Sequence, residues 1–150
     1  MYKYYMDDEI DKDLLMKALE NEENEKMLAL TSHKIMAQKN DILQKLRFDK
    51  DQLKEYHKKL KQYRYINDVD DLTYGNYIRW INIKDPEKIK LTNGAIVCEI
   101  TVCDNGTHIL CKNSFNRMFR LIMDECVIFQ KLNYEEMILL NVLTYLDDNK

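Results

Sequence analysis

Cys98, Cys103, His108 and Cys111 are the densest group of metal-ligating and nucleophilic side chains in the sequence. Thiolates and an imidazole can hold a structural zinc, provided all four donors converge on one point. Their spacing, C-x4-C-x4-H-x2-C, lacks the two-residue cysteine knuckle usual in such sites. Between them stands Asn105-Gly106, the strongest short hairpin signal, because a type I′ turn needs positive φ at both central residues. With those two as the loop, Cys103 faces His108, Val102 faces Ile109, Ile100 faces Cys111 and Glu99 faces Lys112. Alternation then sends Cys98, Ile100, Val102, Ile109 and Cys111 to a core face. Glu99, Thr101, Cys103, His108, Leu110 and Lys112 take the other. On this register the four candidate ligands diverge, so neither a metal nor another cofactor is expected. Cys103 beside His108 is a thiol–imidazole pair with no third member to orient it, a weak basis for nucleophilic catalysis.

Little other chemistry is written in the chain. The phosphate-loop, dinucleotide, zinc-protease and nucleophile-elbow motifs do not occur. His33 and His57 stand far from His108. Asp68, Asp70 and Asp71 lack the glycine and terminal glutamate of a calcium loop and read as a solvated turn. No catalytic residue is expected, and the protein is read as a non-enzyme. The aromatic set Tyr74, Tyr77, Trp80, Phe115, Phe119 and Phe129 is mostly core material. Tyr74, Tyr77, Arg79 and Phe119 are the candidates to line a partner groove. Lys58, Lys59, Lys61 and Arg64, interleaved with Tyr56, Tyr63 and Tyr65, are the candidate nucleic-acid contact. The alternative is that these bases flank a coiled coil, their stems covering its seam.

The elements that must position these residues divide near Asn67. All three glycines and the single proline follow it, and none precedes it. This predicts a helical arm over 1–66 and a β-rich domain over 67–150. The arm opens with an acidic helix carrying Ile10, Leu14, Leu15, Ala18 and Leu19 at helical spacing. Beyond it Leu28, Ile35, Ile42, Asp49, Tyr56 and Tyr63 recur every seven residues, with Ser32, Lys39, Leu46, Leu53 and Leu60 in the alternate position. That is a coiled-coil seam with a charge, Asp49, at one seam position. A kink at Asn40 or Asp41 is a further option. Asp7–Glu25 holds nine acids and two lysines; Lys34–Arg64 holds ten bases and four acids. The acidic helix either folds back on the basic one or pairs with it between subunits. Because the short helix is too short to cover the whole stripe, a homo-oligomer is expected through Leu28, Ile35, Ile42, Leu46, Leu53, Tyr56, Leu60 and Tyr63.

The second half predicts strands at Asn76–Ile83, Lys88–Leu91, Ala95–Cys103, Thr107–Lys112, Arg117–Met123 and Cys126–Leu132. A helix over Tyr134–Leu146 follows, with Asn133 and Glu136 spaced as a capping box. The expected fold class is therefore α+β: a helical coiled-coil arm, a small bent antiparallel barrel and a C-terminal helix. A net charge of −3 excludes a generally basic nucleic-acid coat but not a local basic patch. With no run of eighteen apolar residues and no signal peptide, neither a membrane nor secretion is expected, and the four cysteines read as free thiols in a reducing compartment.

The run Gly75-Asn76-Tyr77-Ile78-Arg79-Trp80-Ile81, then Leu91-Thr92-Asn93-Gly94-Ala95-Ile96-Val97, resembles the opening strands of SH3-like barrels of the Tudor and KOW type. There a G-x-x-[VI]-[RK] strand leads through a loop to a Gly-led strand. From Tyr74 to Leu143, the order YIRWI, LTNGAIV, ILCKN, FQKL, EEMILL and the Asn/Lys/Ile/Tyr bias also resemble small proteins of mimivirus-like giant DNA viruses. The resemblance covers about half the chain, and its motifs are structural. It implies a viral interaction or assembly protein, in the host cytoplasm at the viral factory or in the virion. Such a protein would oligomerise through its arm and bind an unidentified protein partner through the barrel. The alternative is a nucleic-acid-associated factor in viral transcription or genome packaging, using the basic helix and barrel edge.

Overall fold

In the computed structural model, which describes residues 12–22, 24 and 30–148, the seven-residue repeat is not one helix. Helix α1 (Lys12–Glu20) precedes α2 (Ser32–Lys45), and a separate helix α3 (Lys50–Lys59) follows. The break is chemical. Arg47 adopts φ 59°, the left-handed conformation that ends helices, and its N–H donates to Gln44 O at 3.1 Å. The Asp49 carboxylate then accepts the Gln52 N–H at 2.8 Å, and Gln52 Oε1 accepts the Asp49 N–H at 3.3 Å. That reciprocal capping box starts a new helix. Asp49, read as a seam charge, is an N-cap. The continuous coiled-coil helix is thereby corrected to two helices, and the break lies after Lys45 rather than at Asn40 or Asp41.

Two compact units divide the chain at Arg47/Phe48 and again at Lys131/Leu132, not at Asn67. The first unit is helical. Its α1 and α2 both pack on the C-terminal helix α4 (Tyr134–Asp148). Ala18, Ile35, Leu132, Leu139 and Leu140 form the core there, and each fully buried leucine contributes about 2 kcal/mol. Polar contacts fix the packing. Asn133 Oδ1 accepts the Glu136 N–H at 2.8 Å, and Glu136 Oε1 accepts the Asn133 N–H at 3.0 Å, the capping box its spacing predicts. Buried Asn24 donates to Ala18 O at 3.0 Å, satisfying a carbonyl at the end of α1. The described part of the acidic helix thus packs on α4, which carries four acids and no base, rather than on the basic segment.

The second unit contains α3 and six strands: β1 (Tyr63–Ile66), β2 (Tyr77–Asn82), β3 (Ala95–Cys103), β4 (Gly106–Lys112), β5 (Met118–Ile122) and β6 (Cys126–Lys131). They form one antiparallel sheet in the order β1-β6-β2-β3-β4-β5. Strand β1 lies within the stretch assigned to the helical arm; its YRYI pattern is β-prone, but the heptad masks it. The strand expected at Lys88–Leu91 does not form. Pro86 opens a short 3-10 turn over Pro86–Lys88, and Leu91 makes a single bridge to Ile81.

The hairpin register differs from expectation by a slip and a bulge. Cys103 pairs with Gly106, so the loop residues are Asp104 and Asn105. Only Gly106 has positive φ, at 119°, as in a turn closed by a glycine bulge rather than type I′. Thr101, not Cys103, faces His108. The register shifts again between Val97 and Glu99, with Cys98 as the extra residue. Ile109 and Cys111 are buried as expected, but Val97 takes the core place assigned to Cys98, which is exposed. Val102 lies beyond the core at the hairpin tip, 71% exposed.

Ile66, Ile78, Trp80, Val97, Ile109, Leu121 and Ile128 share one core, drawn from all six strands. Trp80 on β2 and Phe119 on β5 have ring centroids 5.3 Å apart. Two strands separate them in the order, so a flat sheet would hold them roughly 14 Å apart. The sheet is therefore strongly curled. It stays open, because β1 and β5 end the order unpaired with each other; the closed barrel is corrected to a curled open sheet.

Candidate binding groove

Strands β2 and β3 pair only at Tyr77↔Ile96 and Ile78↔Ala95, and then part. Gly94 makes the parting possible. Its φ is +99°, and a Cβ there would lie 2.6 Å from Ile78 O and 2.7 Å from Tyr77 Cε1; only glycine fits so close an approach. The segment beyond the split is held by β2. Trp80 N–H donates to Thr92 Oγ1 at 3.2 Å, and Thr92 N–H donates to Trp80 O at 3.0 Å. Arg79 Nε donates to Thr92 O at 2.8 Å, and the Tyr77 hydroxyl donates to Asn93 O at 3.4 Å.

The opposite wall is the β4–β5 turn. Asn113 Oδ1 accepts the N–H groups of Phe115 at 2.9 Å and Arg117 at 3.0 Å. Asn113 N–H donates to Arg117 O at 3.0 Å, and Asn116 sits at φ 63°. A turn so thoroughly tied displays its tip residue in one place, and that residue is Phe115, 84% exposed. Trp80, Thr92, Asn93, Gly94, Asn113, Ser114, Phe115 and Phe119 enclose an open groove of about 200 Å³. Its floor is Trp80 with Phe119, tilted 44° to each other. The lining offers aromatic surface, amides and hydroxyls, and no carboxylate, imidazole, amine or thiol. It can bind and orient, but it supplies no acid or base.

Of the four residues proposed to line a partner groove, Phe119 does so. Tyr77 and Arg79 hold the Thr92–Asn93 segment through hydrogen bonds, and exposed Tyr74 is outside the lining. Trp80, Phe115 and the Asn-containing turns were missed as a set. The signal was present in Thr92-Asn93-Gly94 and Asn113-Ser114-Phe115-Asn116, two turn motifs each beside an aromatic strand.

The oligomerisation residues are spread over both units. Leu28 lies outside the described residues. Ile35 is buried in the helical core; Ile42, Leu46 and Leu53 are half-buried. Tyr56 and Tyr63 are buried, and Leu60 is 0% exposed within the single chain. Much of the stripe a second subunit was to cover is covered by the chain itself. Of the basic set, Lys58, Lys59 and Lys61 are exposed, and Lys59 pairs with Glu55 at 2.8 Å. Arg64 is only 8% exposed, so its guanidinium is poorly placed for a phosphate.

Among the described residues no three His, Cys, Asp or Glu side chains gather as metal ligands, and no helix is long and apolar enough to cross a membrane. Burial pushes the Cys111 thiol up to about 12 and the Cys126 thiol up to about 11, the reverse of an activated nucleophile. No family model, curated protein or solved structure matches the chain.

Proposed function

We propose that the protein is a non-enzymatic interaction module whose curled sheet, read as SH3-like, takes a segment of a protein partner into the Trp80–Phe115–Phe119 groove. One observation carries the reading: Phe115 stands 84% exposed on a turn that four hydrogen bonds hold rigid. An exposed aromatic at a pinned tip contributes little to folding, and rigid aromatics are the common anchors of binding sites. The role of giant-virus assembly or virion component, and with it the viral-factory or virion location, rests on the YIRWI–LTNGAIV resemblance. Self-association through the helical arm is a separate part of the proposal, supported by exposed Met16, Leu19 and Met36 on α1 and α2.

The test is selection of a random displayed-peptide library on the immobilised full chain, with Phe115→Ala as the counter-target. Peptides enriched on the wild type and lost on the variant support the reading. Enrichment indifferent to Phe115 would refute it. The second reading, a nucleic-acid-associated factor, draws on the exposed Lys58, Lys59 and Lys61. It requires a mobility shift with DNA or RNA that weakens with salt and on replacement of those lysines.

A further inference from the structure

The surroundings of the groove bear on what it takes, on the premise that it is a docking site. The two chain segments that supply most of its lining are 88–98 and 111–123. Together they contain Lys88, Lys90, Lys112, Arg117 and Arg120 and no acid, the flanking acids being Glu87, Glu99 and Asp124, in a chain whose net charge is −3. Lys88, Lys90, Lys112, Arg117 and Arg120 are all exposed, and among the described residues none of them is in an ion pair. A local basic field around an apolar groove selects for an acidic occupant.

The backbone beside the groove narrows the choice further. Strand β5 ends the strand order, so one of its edges carries N–H and C=O groups with no strand partner. Phe119, a floor residue of the groove, belongs to that strand. Side chains on β5 alternate. Phe119 and Leu121 lie beside Cys111 and Ile109 on the core side, while Met118 and Arg120 lie beside Lys112 and Leu110 on the outer side. A strand laid along β5 would meet Phe119 and Leu121 on one face and Met118, Arg120 and Ile122 on the other, with Arg117 just before the start of β5 and Lys112 one strand further in.

We propose that the occupant is an extended acidic peptide that adds as a strand to β5. Its inward residues are apolar, one of them seated between Trp80, Phe115 and Phe119, and its outward residues include carboxylates, one beside Arg120 and the others within the field of Lys112 and Arg117. A nucleic acid fits these features less well. It brings no backbone amides to pair with the edge of β5, and the groove exposes one full ring face, Phe115, rather than a series of stacking platforms.

Trp80 is the sole tryptophan and part of the groove floor, so its emission reports occupancy directly. The probe is a synthetic peptide of about nine residues, enough to pair along a short strand, alternating glutamate with valine around a central phenylalanine. Matched peptides carry lysine or glutamine in place of glutamate, and a fourth is N-methylated at alternate amides. Oligothymidylate completes the set. The acidic peptide should shift Trp80 emission saturably, and the lysine and N-methylated peptides should not. Arg117→Glu and Arg120→Glu should each weaken its binding about tenfold at low salt, an effect that added salt diminishes. Phe115→Ala should abolish the response while circular dichroism stays unchanged. Equal binding of the lysine or glutamine peptide, tighter binding of oligothymidylate, or indifference to N-methylation would overturn the acidic-strand inference. If those responses still required Phe115, the groove itself would stand. No response to any probe overturns the inference as well, and the library selection then decides the groove independently.

Discussion

Gly94 and Phe115 sit in the same groove, and alanine should change stability at the first but not at the second. A methyl group on Gly94 would collide with Ile78 O and Tyr77 Cε1, on backbone already at φ +99°. Gly94→Ala should cost at least about 2 kcal/mol in a denaturant titration. Phe115→Ala removes a ring that is almost wholly in water, so its effect on stability should stay within about 0.5 kcal/mol. The thiols separate in the same manner. Cys98 and Cys103 are exposed and should react quickly with a thiol reagent at pH 8. Cys111 is buried, with its thiol pushed up to about 12, and should react only on unfolding. Two fast equivalents are expected in the native protein. Rapid labelling of Cys111 would contradict the hairpin register. Lys39 on α2 is 2% exposed, and burial pulls its ammonium down to about 8 from the usual 10.5. The folded chain therefore disfavours the charged form. That penalty is complete below about pH 8 and is relieved as pH rises toward 10.5, where the unfolded chain still holds its proton. Cys111 acts in the opposite sense: the stability its protonated thiol retains below pH 9 is lost as pH rises toward 12. Lys39→Met isolates the lysine. It should stabilise the protein at pH 7, and the gain over wild type should shrink between pH 8 and 10.5.

The helices and strands record where local chemistry overrides periodicity. The heptad spacing places Asp49 at a seam position, yet the Asp49–Gln52 box and the left-handed Arg47 end one helix and begin another. Asp49→Ala should cost about 1 kcal/mol by loss of the cap. Arg47→Gly should gain up to about 1 kcal/mol, because glycine carries no Cβ penalty in that conformation. The contrast between the two measurements checks the break itself, since in a continuous seam Asp49→Ala would stabilise. Both signals, Asp49-x-x-Gln52 and the scarcity of good seam residues at Ser32 and Lys39, stand in the sequence. A repeat every seven residues is also what successive short helices show when each buries one face. Gln130 is a different case. It is 1% exposed, and its amide donates to Asp71 O and accepts the Thr73 N–H, each at 2.9 Å. No pattern marks a strand glutamine as the clasp of a distant loop.

At the level of the chain, a seam position of the seven-residue repeat, Leu60, falls inside a folded unit. Leu60 is 0% exposed within the sheet-containing unit. Leu60→Asp would bury an uncompensated charge and should unfold the protein, with circular dichroism lost, rather than convert an oligomer to a folded monomer. Light scattering alongside circular dichroism separates the outcomes. A smaller but fully folded Leu60→Asp species would restore the seam.

What the sequence determined by itself is what depends on neighbours a few residues apart. That covers the α+β class, the strands from β2 to β6 to within a few residues, and the Asn133–Glu136 cap. Tertiary structure decided whatever depends on residues far apart in the chain meeting in space. The C-terminal helix joins α1 and α2 because its apolar Leu139 and Leu140 need a cover that no local segment supplies. Strand β1 pairs with β6, its partner at the far end of the sheet unit. The groove exists because the curl of the sheet brings Phe119 to Trp80. Curl sums twist, one bulge and one left-handed glycine over six strands, and none of those contributions alone reveals where the two rings will meet.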